Sequence, residues 1–144
     1  MILPVEFATP EYDELVALRH EVLRRPLGLE FRPEDLAKEH ADLHLALYGE
    51  GYELLGCLLL RTDPDRPQTA VMKQVAVRPD LQGKGIGKRL VAAFEQKSRE
   101  MGLSEIALHA RQTAVPFYEK IGYECFGEPF QEVGIPHRSM RKTL

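Results

Sequence analysis

The sequence predicts an α/β (α+β) domain in which helices flank one mixed, mostly antiparallel sheet. Strand-like segments outnumber helical ones, and turn residues at 49–51 and 63–67 join two pairs of strands as hairpins. Within residues 74–91, a strand leads directly into a glycine-punctuated helix start. With 144 residues and no visible repeat or linker, the chain is expected to form a single domain over residues 1–144.

Capping residues and hydrophobic spacing set the expected order of elements. Thr9 and Pro10 are typical of a helix start, and Thr113 is expected to cap a later helix that ends at Gly122. The predicted elements are, in order, a strand (3–8), a helix (10–23), a short helix (33–39), three strands (43–48, 53–60, 69–77), a glycine-led helix ending near Met101, a strand (105–110), a helix (114–121) and two strands (123–130, 137–142).

Composition narrows the class of protein. Apolar residues make up 44% of the chain, charged residues 28%, and the net charge is −3, which gives no reason to expect a nucleic-acid partner. No apolar run is long enough to predict a membrane partner, and the N-terminal segment lacks the basic flank of a secretory signal, so we expect a cytoplasmic protein. Cys57 and Cys125 are isolated and predict buried thiols, and no motif with metal-ligand spacing predicts a metal site.

The segment QGKGIG at residues 82–87 predicts a phosphate-binding helix start. A helix N-terminus carries backbone N–H groups without intrahelical partners and a partial positive charge, and glycine allows an anion to approach the backbone closely. A Walker loop is excluded because no Ser or Thr follows a Gly-Lys pair here. A dinucleotide-binding fingerprint is disfavoured because its third glycine is missing.

Two motifs in register resemble the GNAT superfamily of acyl-CoA N-acyltransferases. The first is V-x-V-x-P at residues 75–79 followed by Q-x-x-G-x-G at 82–87, and the second is F-Y-E-K-x-G-Y at 117–123. The similarity is close over residues 70–123 and rests on element order elsewhere. It implies the GNAT fold, acetyl-CoA (coenzyme A) as cofactor, and two strands that splay apart to admit the pantetheine arm.

The resemblance also assigns cofactor-binding positions. It implies that the backbone of Val75, Ala76 and Val77 pairs with pantetheine, and that the glycine loop and the cations beside it hold the pyrophosphate. Where the family often has a cofactor-binding asparagine, this chain has Arg111, which either reaches the cofactor or is an exposed arginine at a strand end. The loop positions expected to bind are Gln82, Gly83, Lys84, Gly85, Ile86, Gly87, Lys88 and Arg89.

Tyr118 and His109 are the predicted catalytic residues. The resemblance implies that Tyr118 lies beside the CoA sulfur and protonates the departing thiolate, although an aromatic that only fills the space between helix and sheet fits the same position. A general base has four candidates: His109, His44, His40 and Glu39. His109 is favoured because it lies on a wall of the predicted gap, facing away from Leu108, but a structural role fits each of the four.

The C-terminal segment resembles the ElaA-type branch of the superfamily through its G-I-P-H-x-x-M sequence at residues 134–140. That resemblance implies that His137 and Glu132 lie near the acceptor, whereas a plain hairpin turn at Gly134 and Pro136 explains the same residues.

The sequence therefore predicts an N-acetyltransferase that moves an acetyl group from acetyl-CoA to a primary amine, with a small molecule as acceptor and direct attack in a ternary complex. The alternative is a non-catalytic acyl-CoA-binding sensor or interaction module with the same fold. Exposed strand edges near the C-terminus favour a homodimer.

Overall fold

The computed structural model describes all 144 residues as one seven-stranded sheet with helices on both faces. The strands are β1 (Ile2–Val5), β2 (Leu43–Tyr48), β3 (Leu54–Asp63), β4 (Arg66–Val77), β5 (Glu105–Arg111), β6 (Glu124–Glu132) and β7 (Ile135–Thr143). The α-helices are α1 (Pro10–Arg19), α2 (Pro33–Ala37), α3 (Ile86–Glu100) and α4 (Val115–Lys120). Every helix is too short or too polar to span a lipid bilayer.

The spatial order of the strands is β1-β2-β3-β4-β5-β7-β6. Only β4 and β5 run parallel, and all other neighbours are antiparallel, which confirms the mixed, mostly antiparallel sheet. The parallel pair is connected by α3, because two parallel strands need a crossover between them. The last strand, β7, inserts between β5 and β6 and so brings the C-terminal hairpin beside the centre of the sheet.

Each face of the sheet carries its own apolar core. On one face, α3 and α4 pack through Leu90, Phe94 and Tyr118 against inward residues of the central strands such as Leu58 and Leu108. On the other face, α1 covers only part of the sheet, with Tyr12, Leu15 and Cys57 in a smaller cluster. That face is therefore covered over β2, β3 and the end of β4 at Ala76, and it is left open over the rest of β4, β5 and β7.

The parallel strands β4 and β5 separate before either strand ends. Their pairing starts at Thr69 with Glu105 and stops at Met72 with Leu108, whereas β4 continues to Val77 and β5 to Arg111. A β-bulge lies at the point of separation, because two residues of β4, Gln74 and Val75, stand opposite Leu58 alone. Gln74 adopts a left-handed conformation (φ 57°), which bends β4 away from its neighbour.

Most predicted boundaries agree with the structure to within a few residues, and the differences have local causes. Thr9 caps α1 by accepting a hydrogen bond from the Tyr12 N–H, as predicted. The prediction that Thr113 caps α4 is wrong, because the N-cap is Ala114 and makes no side-chain hydrogen bond. The α1 segment continues beyond Arg19 as a π-helical turn over His20–Arg24, so the helix predicted over 10–23 has two parts.

The predicted thiol environments differ between the two cysteines. Cys57 is buried, as expected, while Cys125 is only half-buried on β6, and both are free. A strand near the edge of the sheet has less cover than a central strand, which explains the difference.

Candidate active site

The loop before α3 presents a run of free backbone donors. None of the N–H groups of residues 82–88 has a hydrogen-bond partner, and the first helical bond of α3 is Arg89 N–H to Gly85 O. Residues 82–85 and Lys88 are exposed, and a helix start leaves its first N–H groups without intrahelical partners. This loop therefore has the donor set that a pyrophosphate requires.

Positive backbone angles explain two of the three loop glycines. Gly83 and Gly85 have φ values of 82° and 81°, and no atom lies within 4 Å of the position a Cβ would take at either one. Gly87 is helical, and a Cβ there would meet the Phe117 ring at 3.4 Å. The first two glycines thus shape the open side of the loop, and the third permits close packing between α3 and α4.

Cations surround this loop without acidic partners. Lys84, Lys88 and Arg89 are exposed, and no carboxylate lies within ion-pair distance of any of them. Arg78, in contrast, pairs with Asp80 at 2.7 Å. The three free cations add positive potential where the backbone donors point, and the structure thus fits a diphosphate at this loop.

The gap between β4 and β5 leaves the end of β4 available to a ligand. Val75, Ala76 and Val77 lie beyond the last residue pair that β4 forms with β5, while β3 still pairs with Ala76 and Val77 on the other side. Ala76 is buried, and Val75 and Val77 are half-buried. An extended ligand can therefore add to this edge as a strand would.

A cavity of about 620 Å³ opens from the gap on the face that α1 leaves uncovered. Its floor is formed by β4, β5 and β7, and its rims are the π-helical turn at Leu23 and Arg24 and the β6–β7 turn at Glu132 and Val133. Tyr118, His109, Gln74, Lys73, Arg111 and His137 all line it. The Gln74 Oε1 atom is buried and has no hydrogen-bond partner.

Tyr118 lies at the inner end of this cavity. Its ring packs edge-on against Phe117 and Tyr123, with centroid distances of 5.0 and 5.6 Å, and the residue is 7% exposed. Burial raises the pKa of Tyr118 to about 12, so the hydroxyl stays protonated at neutral pH. The ring therefore belongs to the core, the residue also borders the cavity, and the acid role of Tyr118 stays a prediction.

Glu132 joins two histidines at the outer end of the cavity. His109 Nδ1 lies 2.9 Å from Glu132 Oε1, and His137 Nε2 lies 3.6 Å from Oε2. Phe130 packs against His109 with a centroid distance of 4.8 Å. His109 points away from the buried residues Ile106 and Leu108, as strand alternation predicts. A carboxylate bound to Nδ1 fixes the ring and leaves Nε2 to accept a proton.

The other base candidates lie outside the cavity. Glu39 is buried and forms an ion pair with Arg19 at 2.6 Å, and it also accepts a hydrogen bond from Tyr12. His44 is buried, with Nε2 3.1 Å from the Glu39 carbonyl oxygen, and the exposed His40 packs beside Phe7. Glu39 and His44 hold α1 and the following turns against the sheet, which is a structural task.

Arg111 lines the cavity at the end of β5. Its guanidinium donates a hydrogen bond to the Leu23 carbonyl oxygen at 2.8 Å. Arg24 also lines the cavity, and sequence reasoning missed it together with Leu23. No local motif identifies these two residues, because only the π-helical turn brings them over the open end of the sheet.

Comparison with known proteins identifies the family of this chain. A family model described as an acetyltransferase (GNAT) domain matches residues 27–144, which include the loop, the gap and the β6–β7 turn. YyaT, an uncharacterized protein of Bacillus subtilis strain 168, is 34% identical over 76 residues, which are 53% of this chain and 51% of YyaT. The chain spans about half the length of the curated relatives it matches.

Solved structures share the fold over the whole chain. Escherichia coli ElaA superposes with a TM-score of 0.81 at 18% identity, covering 99% of this chain and 98% of ElaA. An aminoglycoside 6'-N-acetyltransferase complexed with coenzyme A gives a TM-score of 0.80 at 18% identity, covering 99% of this chain and 96% of that one. At such identities these likenesses describe the fold alone, and the assignment to the ElaA-type branch stays a prediction.

Proposed function

We propose, because this chain belongs to the GNAT acetyltransferase family, that it transfers an acetyl group from acetyl-CoA to a primary amine of a small molecule. One observation carries the proposal: the gap between β4 and β5 leads from the loop of free N–H groups to a cavity lined by Tyr118 and His109. In this proposal, acetyl-CoA binding, proton donation and proton acceptance use residues at the loop, along the gap and in the cavity.

Acetyl-CoA supplies an activated thioester, and the chain supplies groups to hold it. The N–H groups of residues 82–88 would bind the diphosphate, with Lys84, Lys88 and Arg89 balancing its charge. The backbone of Val75–Val77 would orient the pantetheine arm as an added strand. An N–H group near Val75 is also suited to stabilise the oxyanion that develops during direct attack.

Tyr118 is the proposed general acid. Its hydroxyl keeps its proton at neutral pH and borders the cavity, so it can protonate the sulfur of the leaving thiolate. A thiolate is a much weaker base than an alkoxide and leaves readily, so a hydrogen bond or proton from a single phenol is sufficient assistance.

His109 is the proposed general base, held by Glu132. An amine acceptor arrives as an ammonium ion at neutral pH and must lose a proton before it attacks. With Nδ1 hydrogen-bonded to Glu132, His109 can accept that proton at Nε2, directly or through a water molecule. Glu132 contacts both histidines and would stabilise the imidazolium that results.

The shape of the cavity favours a small acceptor. Its volume of about 620 Å³ falls in the range of small-molecule pockets, and rims formed by the π-helical turn and the β6–β7 turn bound it on two sides. An extended protein substrate would need an open groove instead.

The test is release of free thiol from acetyl-CoA in the presence of a panel of amines. We expect at least one small primary amine to accelerate release. The reaction should proceed in a ternary complex, with acetyl-CoA and the amine bound at the same time. If CoA binds but no amine accelerates release, the non-catalytic acyl-CoA-binding alternative replaces this proposal.

Tyr118→Phe tests the acid assignment within the same assay. The ring and its packing are kept, so we expect unchanged CoA affinity and a kcat reduced about 100-fold. Tyr123→Phe is the matched control: it removes a buried hydroxyl that donates to Glu95 at 2.8 Å outside the cavity, and should lower stability by about 1 kcal/mol while leaving kcat unchanged. Equal kcat values for Tyr118→Phe and the wild type would overturn the acid role.

A further inference from the structure

We infer, building on the proposed function, that the acceptor carries a carboxylate next to its amine and that Arg24 and Arg111 bind this carboxylate. The acceptor class would then be amino acids and related amino-carboxylates. The argument rests on the position, pairing and surroundings of the two guanidinium groups.

Both guanidinium groups converge on a single carbonyl oxygen. Arg24 Nη1 donates to Leu23 O at 3.1 Å, and Arg111 Nη2 donates to the same oxygen at 2.8 Å. These contacts bring the two nitrogens within about 6 Å of each other, close enough for strong repulsion between like charges. Both side chains are half-buried and line the cavity.

Neither of these arginines has an acidic partner. The other two arginines of the cavity are each neutralised: Arg61 pairs with Asp42 at 2.7 Å, and Arg66 pairs with Glu105. Glu132 and Asp35 attract Arg24 only at longer range, and both oxygens of Glu132 face the histidines. The cavity therefore holds two adjacent guanidinium groups that form no ion pair with any carboxylate of the protein.

Physical chemistry makes this arrangement costly without a ligand. Burial, and then the neighbouring charges of Arg111 and Arg19, lower the pKa of Arg24, and burial lowers the pKa of Arg111. Arg24 is nevertheless held in place, with its guanidinium 4.5 Å from the centre of the Phe31 ring. Guanidinium groups match the planar geometry of a carboxylate. A bound carboxylate would therefore offset the repulsion between the two arginines and accept hydrogen bonds from their N–H groups.

The arginine pair lies beside the proposed base. Arg111 follows His109 by two residues on the same face of β5, a separation of about 6.6 Å along the strand. Across the strand pair, Arg111 stands opposite His137, which contacts Glu132. An amine at His109 and a carboxylate at Arg111 must therefore be only a few bonds apart, as they are in amino acids.

Matched acceptors test the inference. Amino acids and their carboxamides have nearly the same size, and the amine of the carboxamide is the less basic of the two. More of the carboxamide is therefore free amine at neutral pH, so a preference for the carboxylate cannot come from the amine. We expect kcat/KM to be about 10- to 100-fold higher for the carboxylates, the range given by charge-assisted hydrogen bonds. Arg24→Gln and Arg111→Gln should each reduce this preference to about threefold or less. Arg141→Gln removes an exposed arginine that pairs with Glu124 at the end of the β6–β7 hairpin away from the cavity, and it should keep the preference.

A binding measurement separates this inference from the proposed function. Propionate, compared with propionamide, should shift the side-chain Nε–H signals of the arginines in NMR spectra of the wild-type protein, and Arg111→Gln should weaken propionate binding at least fivefold. Equal kcat/KM for carboxylates and carboxamides, or equal shifts from the two probes, would overturn the inference even if amines are acetylated. If no amine is acetylated, the proposed function fails, and the propionate titration still decides whether the arginines form an anion site.

Discussion

Gly85→Ala tests whether the glycine loop binds coenzyme A, provided that its effect on affinity is measured apart from its effect on the stability of the fold. Gly85 has a φ of 81° and serves as the N-cap of α3. A left-handed conformation costs an L-residue about 1–2 kcal/mol, so we expect the free energy of unfolding to fall by about that amount if the loop keeps its shape. No protein atom lies within 4 Å of the added methyl group, so the cost is conformational and not steric.

The same methyl group would occupy the open side of the loop, where the diphosphate is expected. We predict that the Kd for coenzyme A rises at least tenfold, about 1.4 kcal/mol, because the methyl group and any relaxation of the backbone both disturb the free N–H groups. Isothermal titration calorimetry measures the affinity, and urea denaturation measures the stability.

Gly102→Ala is the matched control. Gly102 follows the other end of the same helix with a φ of 77°, and its Cβ position is equally open. The two variants should lose similar stability, while Gly102→Ala binds coenzyme A like the wild type. The reasoning is refuted if Gly85→Ala also binds coenzyme A with wild-type affinity, since the loop would then tolerate a group where the ligand is expected.

Three further predictions concern the buried groups and the base. Glu39→Gln leaves the Arg19 guanidinium, 2% exposed, without its counter-charge, so urea denaturation should show a loss of about 3 kcal/mol with unchanged affinity for coenzyme A. Burial raises the pKa of Cys57 from 9.0 to about 12, which means that the folded state favours the neutral thiol. The contribution of this shift to the free energy of unfolding is fully present below pH 9. That stability is lost by about 1.4 kcal/mol per pH unit as the pH rises from 9 toward 12, a slope that should be shallower in urea titrations of Cys57→Ala. His109→Gln should lower kcat about 100-fold without changing the Kd for coenzyme A, and an unchanged kcat would remove His109 as base.

The parts of the fold that local sequence determines were predictable. The strand-to-helix junction at residues 74–91 combines a β-forming run, a break and glycines, and each of these signals acts within a few residues. The cap at Thr9 likewise depends only on its own helix start. Thr113 has the same side-chain chemistry, but it lies within a 3-10 turn over Gln112–Ala114 that leads directly into α4, so Ala114 takes the cap position.

The remainder of the candidate site depends on contacts between distant segments. Four residues were candidates for the base, and only the predicted strand position of His109 favoured it over the others. The insertion of β7 between β5 and β6 brings Glu132 to His109, while α1 covers His44 and Glu39 on another part of the same face. The bulge at Gln74 depends on a register shift between β4 and β3. No residue type within β4 predicts such a shift.

The central claim is that the backbone amides of the glycine loop bind the diphosphate of coenzyme A. Amide NMR spectra recorded with coenzyme A and with pantetheine, which lacks the diphosphate, test it directly. We predict that the amide signals of residues 83–88 shift and gain protection from hydrogen exchange with coenzyme A but not with pantetheine. Signals that stay unchanged with coenzyme A, or that respond equally to both compounds, would contradict the account.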